Sequence, residues 1–239
     1  RREAGDHVQP GGIVTIETRH TAGVVQLRKA EDGTVRMGGY ALKFNRLSQN
    51  LGGFVERVAP GAVAKTLRDG GDVLARYQHL DEYLLGRTLS QTLRLAVDDT
   101  GLDYEVDLPD TQYARDLAAL AERGDVQHSS FAFRTITDEW GFTEQGFPLR
   151  TLLEIQLVDV APVVNPAYLD TTSGLRTLAE ARHLDEATVL AAAREERLAE
   201  IIAPPAEPND KRDIGPGETH PLIALRQRQA AFAQRRTPR

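Results

Sequence analysis

At 239 residues, 41% of them apolar, the chain is long enough to bury one ordinary core and to carry extensions. It contains no cysteine, which excludes disulfides, thiolate metal sites and a cysteine nucleophile. With 35 acidic against 29 basic residues the formal charge is −6, which argues against a general nucleic-acid-binding surface. No apolar run approaches the roughly 18 residues of a membrane span and no charged-then-apolar start is present, so a soluble intracellular protein is expected.

Residues 1–12 are polar and close on Pro10-Gly11-Gly12, the composition of a flexible arm. Residues 13–18 and 24–27 have the β-branched, alternating character of strands, and Glu31-Asp32-Gly33 supplies a turn before a strand over 35–44. Gly38 and Gly39 interrupt that strand and predict a bulge or a close backbone approach. A short strand over 54–58 leads to Pro60, which opens a helix reaching Leu67 before Gly70-Gly71 stops it. The next strand, 73–80, carries His79 near its end. Strands over 93–97 and 102–108 flank Asp98-Asp99-Thr100-Gly101, a hairpin by its turn chemistry. Asp110 or Thr111 can cap a helix through Glu122, with Tyr113, Leu117 and Leu120 facing inward and Gly124 ending it.

The stretch after Gly124 reads Asp-Val-Gln-His-Ser-Ser-Phe-Ala-Phe-Arg. Alternation along a strand turns Phe131 and Phe133 to a core and leaves Ser130, Ala132 and Arg134 on the other face, which selects Ser130 over Ser129 as a candidate nucleophile. The plainer reading is a strand entry whose serines bridge turn and sheet. The strand continues to Trp140, and 149–164 is apolar enough for a central strand that Pro162 and Pro166 terminate. Seven or more strands with few helices predict a β-rich α+β domain or barrel over 13–178. Leu184, Ala187, Ala191, Leu198 and Ile201 then predict an amphipathic helix within 179–203, a surface compatible with a homo-oligomer. Residues 204–239 read as a disordered Pro-rich linker and a basic tail carrying Arg226, Arg228, Arg235, Arg236 and Arg239.

A serine hydroxyl needs a base to accept its proton, and imidazole is the group whose pKa suits that task near neutrality. Of the six histidines, only His79 and His128 fall inside predicted sheet away from its margins, so they are the candidates. No His-x-x-x-His or comparable ligand spacing occurs, and neither a metal nor a cofactor is expected.

Several segments in fixed order carry a resemblance: Tyr77-Gln78-His79-Leu80, Leu85-Gly86-Arg87-Thr88, Leu108-Pro109-Asp110-Thr111, Gly124-Asp125-Val126 through Ser130-Phe131-Ala132-Phe133, and the stretch from Glu154 to Tyr168. Together they resemble the prohead maturation proteases of tailed bacteriophages, over roughly residues 38–178. The resemblance implies an assemblin-like β-barrel with surrounding helices, His79 as base and Ser130 as nucleophile. Where the family usually has Gly-Met-Ser-Phe-Gly-Phe, this chain has His128-Ser129-Ser130-Phe131-Ala132-Phe133, so His128 and Ala132 add side chains beside the serine.

A third member must be an acceptor that orients the imidazole. In Leu153-Glu154-Ile155-Gln156-Leu157 alternation leaves Glu154 opposite the apolar face, and Glu154 is the expected residue. Asp159 competes but shares a face with Ile155 and Leu157 by the same count. His128 is a further candidate, because assemblins use a second histidine. Backbone N–H groups near Ser130 are the expected oxyanion donors, with Arg134 or Arg150 available to assist. By resemblance the protein is a serine endopeptidase of procapsid maturation in the host bacterial cytoplasm. Its implied partners are the scaffold segment of the major capsid protein, the procapsid interior and its own C-terminal tail. The alternative is a non-catalytic assembly or scaffolding protein on the same fold.

Overall fold

Two long strands, β9 (His128–Phe142) and β10 (Pro148–Val163), pair antiparallel and form the spine of the molecule. The computed structural model describes residues 15–21, 25–31, 33–164 and 172–203. β10 is central: its other edge takes β4 (Val55–Val58) and β5 (Leu74–Arg76), both parallel to it. Its apolar composition follows from that placement, since neighbours cover both its edges and most of its length is buried. The first sheet has the order β1 (Glu17–Thr21), β9, β10, β5, β6 (Leu84–Arg87), with β4 beside β10. The second has the order β2 (Gln26–Lys29), β3 (Val35–Lys43), β8 (Gly101–Asp107), β7 (Leu93–Val97). The β7–β8 turn is the expected one, with Asp98 Oδ1 accepting from the N–H groups of Thr100 and Gly101 at 2.7 and 3.0 Å.

The main core includes Met37, Leu42, Leu102, Tyr104, Phe131, Phe133, Ile155 and Val160 from both sheets. It also takes Ala114 and Leu117 from α2 (Gln112–Arg123), which Gly124 ends in the left-handed conformation at φ 88°. A second core lies under α3 (Thr172–Arg182), α4 (Glu186–Arg194) and α5 (Leu198–Ile202), where Leu175, Leu178, Val189 and Leu198 meet Leu51 and Phe54. The short helix α1 (Ala64–Arg68) follows β4 as expected.

Several elements differ from expectation. The barrel is corrected to two sheets: among the described residues neither closes on itself, because no ladder joins β1 to β6 or β2 to β7. The strand expected over 73–80 stops at Arg76, and two 3-10 turns, Tyr77–His79 and Asp81–Tyr83, follow. The helix expected within 179–203 is broken at Glu195–Arg197, with Glu196 at φ 57°. α4 buries Val189, Ala192 and Ala193, and the break resets the helical phase so that α5 buries Leu198 and Ile202; Leu184, ahead of α4, is 41% exposed. α3 runs across residue 178 and joins this helical layer. The expectations for 1–12, 204–239 and Pro166 lie outside the described residues.

The interruption at Gly38 is a close approach: a Cβ there would stand 2.1 Å from the Tyr104 carbonyl oxygen, and the register shift follows at Tyr40/Leu42. Backbone cannot yield as a flexible side chain would. Gly38→Ala is therefore expected to destabilise the protein by about 2–3 kcal/mol, read as a lowered midpoint in urea unfolding.

Candidate active site

The paired serines separate by face. Ser129 Oγ lies 3.3 Å from the Tyr104 hydroxyl, inside the core. Ser130 Oγ lies 2.6 Å from His79 Nε2. His79 reaches it from the 3-10 turn beyond β5, where Gln78 and His79 both hold φ 59°. Neither is glycine, and each left-handed residue costs about 1–2 kcal/mol that surrounding contacts must offset. Tyr83 supplies part of that bracing, with its ring centroid 6.1 Å from Tyr77 and 5.6 Å from Tyr113. Tyr113 in turn donates its hydroxyl to the Leu84 carbonyl at 2.5 Å.

On the other side of the imidazole, Nδ1 lies 2.5 Å from Asp159 Oδ1. The expectation of Glu154 is corrected here: its side chain is 36% exposed and pairs with Lys65 at 3.4 Å. The reason is a bulge. Leu157 pairs with Phe133, but Asp159 pairs with Ala132, so two residues of β10 advance against one of β9 and Val158 is the extra one. A one-residue slip exchanges the faces of everything beyond it, and Asp159 arrives on the face of Ala132 and Ser130. Register shifts also fall on both sides of Glu154, so the simple count fails throughout this stretch.

The other nominees lie elsewhere. His128 is opposite Val163 on β10 and no hydrogen bond joins it to Ser130 or His79. Arg134 approaches Gln156 at 3.4 Å in an exposed contact. Arg150 is wholly buried and occupied by the carboxylates of Glu17, Glu56 and Asp138. Sequence reasoning missed Arg76, which forms an ion pair with buried Asp159 and bridges to Asp81 at the surface.

Burial, with Arg76 and then His20 adding positive field, pulls the His79 imidazole down to about 4. It is therefore neutral near pH 7. The Asp159 carboxylate accepts a hydrogen bond from Nδ1–H, which leaves the Nε2 lone pair facing Ser130 Oγ. A hydroxyl, a neutral base and a buried carboxylate in line are the parts an acyl-transfer site requires. Among the described residues, no group of three or more His, Asp or Glu side chains is placed to hold a metal ion.

A family model described as the Caudovirus prohead serine protease matches residues 24–185, more than half of the chain. The chain belongs to that family. The matched span contains His79, Ser130 and Asp159 and begins beyond β1. A solved structure, that of the bacteriophage T4 capsid assembly protease gp21, is similar at 11% identity. The similarity covers 63% of this chain and 98% of that one, with a TM-score of 0.45. No curated protein matches the chain.

In this prohead protease family member a second polar constellation lies behind the site. Arg150 donates to Glu17 at 2.7 Å, Glu56 at 2.9 Å and Asp138 at 2.6 Å. Arg19 donates to Glu17 at 2.7 Å and Glu56 at 2.8 Å. Burial alone would raise the Glu17 carboxyl, but the two arginines hold it below its usual range. The cluster ties β1, β4, β9 and β10 together. Removing one partner from such a cluster strands the others, so Arg150→Met is expected to cost about 3–5 kcal/mol in denaturant unfolding.

Arg76 yields a pH prediction. Reaction of Ser130 with a fluorophosphonate requires neutral His79, so its rate should fall only as pH drops through about 4. Arg76→Gln removes a cation near the ring while retaining a donor for Asp159, so the acid limb should move upward toward 6.5. A limb that stays in place would dissociate Arg76 from the imidazole's titration.

Proposed function

We propose that the chain is a serine endopeptidase of phage procapsid maturation, with Ser130 as nucleophile, His79 as general base and Asp159 as the acceptor that orients the imidazole. The observation that carries this reading is the chain of contacts from Ser130 Oγ to His79 Nε2 at 2.6 Å and from His79 Nδ1 to Asp159 at 2.5 Å. His79 takes the hydroxyl proton as Oγ adds to a peptide carbonyl carbon. The imidazolium, stabilised by Asp159, then gives that proton to the leaving amine. Water repeats the sequence on the acyl-enzyme, releasing the new carboxyl end and restoring Ser130. Family membership supports capsid-related substrates, namely the scaffold segment of the capsid protein and the chain's own C-terminal tail, inside the assembling procapsid in the host cytoplasm.

The test is incubation with the capsid-protein precursor, fragments being read by mass spectrometry. Ser130→Ala and His79→Ala should give no fragments, and Asp159→Asn should slow the wild-type rate by about 10³–10⁴. Glu154→Gln should stay within about twofold, because its surface ion pair contributes little. Intact precursor after incubation with wild type would instead favour a non-catalytic assembly protein on the same fold.

A further inference from the structure

Ser130 is wholly buried, which a nucleophile at work cannot be. What lies along it is the chain's own β1, paired antiparallel with β9 so that His20 stands opposite Ser130 and Arg19 opposite Phe131. β10 occupies the other edge of β9, with Ala161 opposite Ser130, so no extended peptide can add to the serine strand while β1 is there. The contact is closer than pairing alone: Ser130 Oγ donates to the Arg19 main-chain carbonyl oxygen at 2.9 Å. A hydroxyl has one proton. The Arg19 oxygen therefore competes for that proton with His79 Nε2, which lies 2.6 Å from Oγ.

Three further observations concern whether β1 can leave. It is an edge strand, so its departure opens no gap inside the sheet. It borders a cavity of about 630 Å³ lined by His20, Thr21, Lys43, Arg57, His128 and Phe131, which gives it space on one flank. Its charges leave as a balanced pair: the Arg19–Glu56 and Arg150–Glu17 contacts break, but Glu17 and Arg19 stay bonded to each other and Arg150 retains Glu56 and Asp138. The family match, moreover, starts at residue 24, beyond this strand.

We propose that β1 occupies the substrate's place: an extended peptide adds antiparallel to β9 once β1 moves off, its scissile peptide unit lying over Ser130 where the Arg19–His20 unit now stands, with the carbonyl carbon turned to Oγ. This rests on the reading of Ser130 as nucleophile. Strand addition supplies main-chain hydrogen bonds to any extended peptide and leaves selection to its side chains. The segment Glu17–Thr21 is thus a pseudosubstrate, and Ser130 reacts only in the fraction of molecules in which this strand has moved off.

Thr18 and Ala132 are register partners, and the chain has no cysteine, so Thr18→Cys with Ala132→Cys gives a single reversible cross-strand clamp in the full-length protein. The readout is fluorophosphonate labelling located at Ser130 by mass spectrometry. Oxidation should slow labelling by about tenfold or more and reductant should restore it, while wild type is indifferent to both. Equal labelling of oxidised and reduced clamp would overturn the pseudosubstrate and leave the nucleophile intact. Absence of Ser130 labelling from wild type and reduced clamp alike would overturn the catalytic reading, and the inference with it. A second measurement needs no variant: a peptidyl phosphonate bound at Ser130 of wild type should speed hydrogen exchange at residues 17–21 and leave β10 protected. Unchanged protection of β1 in that adduct would also overturn the proposal.

Discussion

Everything in the candidate site depends on how β10 runs against β9. The two strands share a ladder along nearly their whole length, and β10 also carries β4 and β5 on its other edge, so the elements that bear Ser130, His79 and Asp159 all refer to one rail. A single extra residue, Val158, then decides which carboxylate meets the imidazole. In a regular ladder Asp159 would face the apolar core with Leu157. With the bulge it turns to the serine face, where Arg76 and His79 satisfy it. Burying a carboxylate completely is tolerable only with such partners, so the bulge and the Arg76 contact belong to one arrangement.

Behind that rail the buried arginine–carboxylate cluster serves a different purpose. It joins β1 to β4, β9 and β10 through charge, at a place where apolar side chains could have packed. Buried ion pairs add little net stability relative to apolar packing, but they are intolerant of wrong register. A slip of β1 by one residue would send Glu17 and Arg19 to the opposite face and move the Arg19 carbonyl away from Ser130. The cluster therefore fixes which peptide unit of β1 stands over the serine.

How much of this was legible in the sequence varied with the physics involved. Local chemistry read well: Asp98 through Gly101 made its turn, Gly124 ended its helix, and the Phe131/Phe133 alternation separated Ser130 from Ser129. His79 was identifiable as a suitable residue type near a strand end, though its left-handed backbone was not, because neither Gln78 nor His79 signals positive φ. Asp159 was misassigned to the core face because a bulge at Val158 has no glycine or proline to mark it. The covering strand was invisible for a related reason: nothing in Glu-Thr-Arg-His-Thr specifies which edge it joins. The helix break at Glu196 and the two open sheets are likewise set by packing between distant segments.

The order of the elements along the chain gives the central rail a consequence in time. His79 and Ser130 precede β10, whereas Asp159 and the strand that aligns all three come near the end of the β unit. A nascent chain emerging at about 5–20 residues per second has its serine and its histidine well before it has the surface that brings them together. No partial product of synthesis ending before residue 159 can assemble the cluster. The fold itself thus postpones the meeting of Ser130, His79 and Asp159 until translation of this unit is essentially complete.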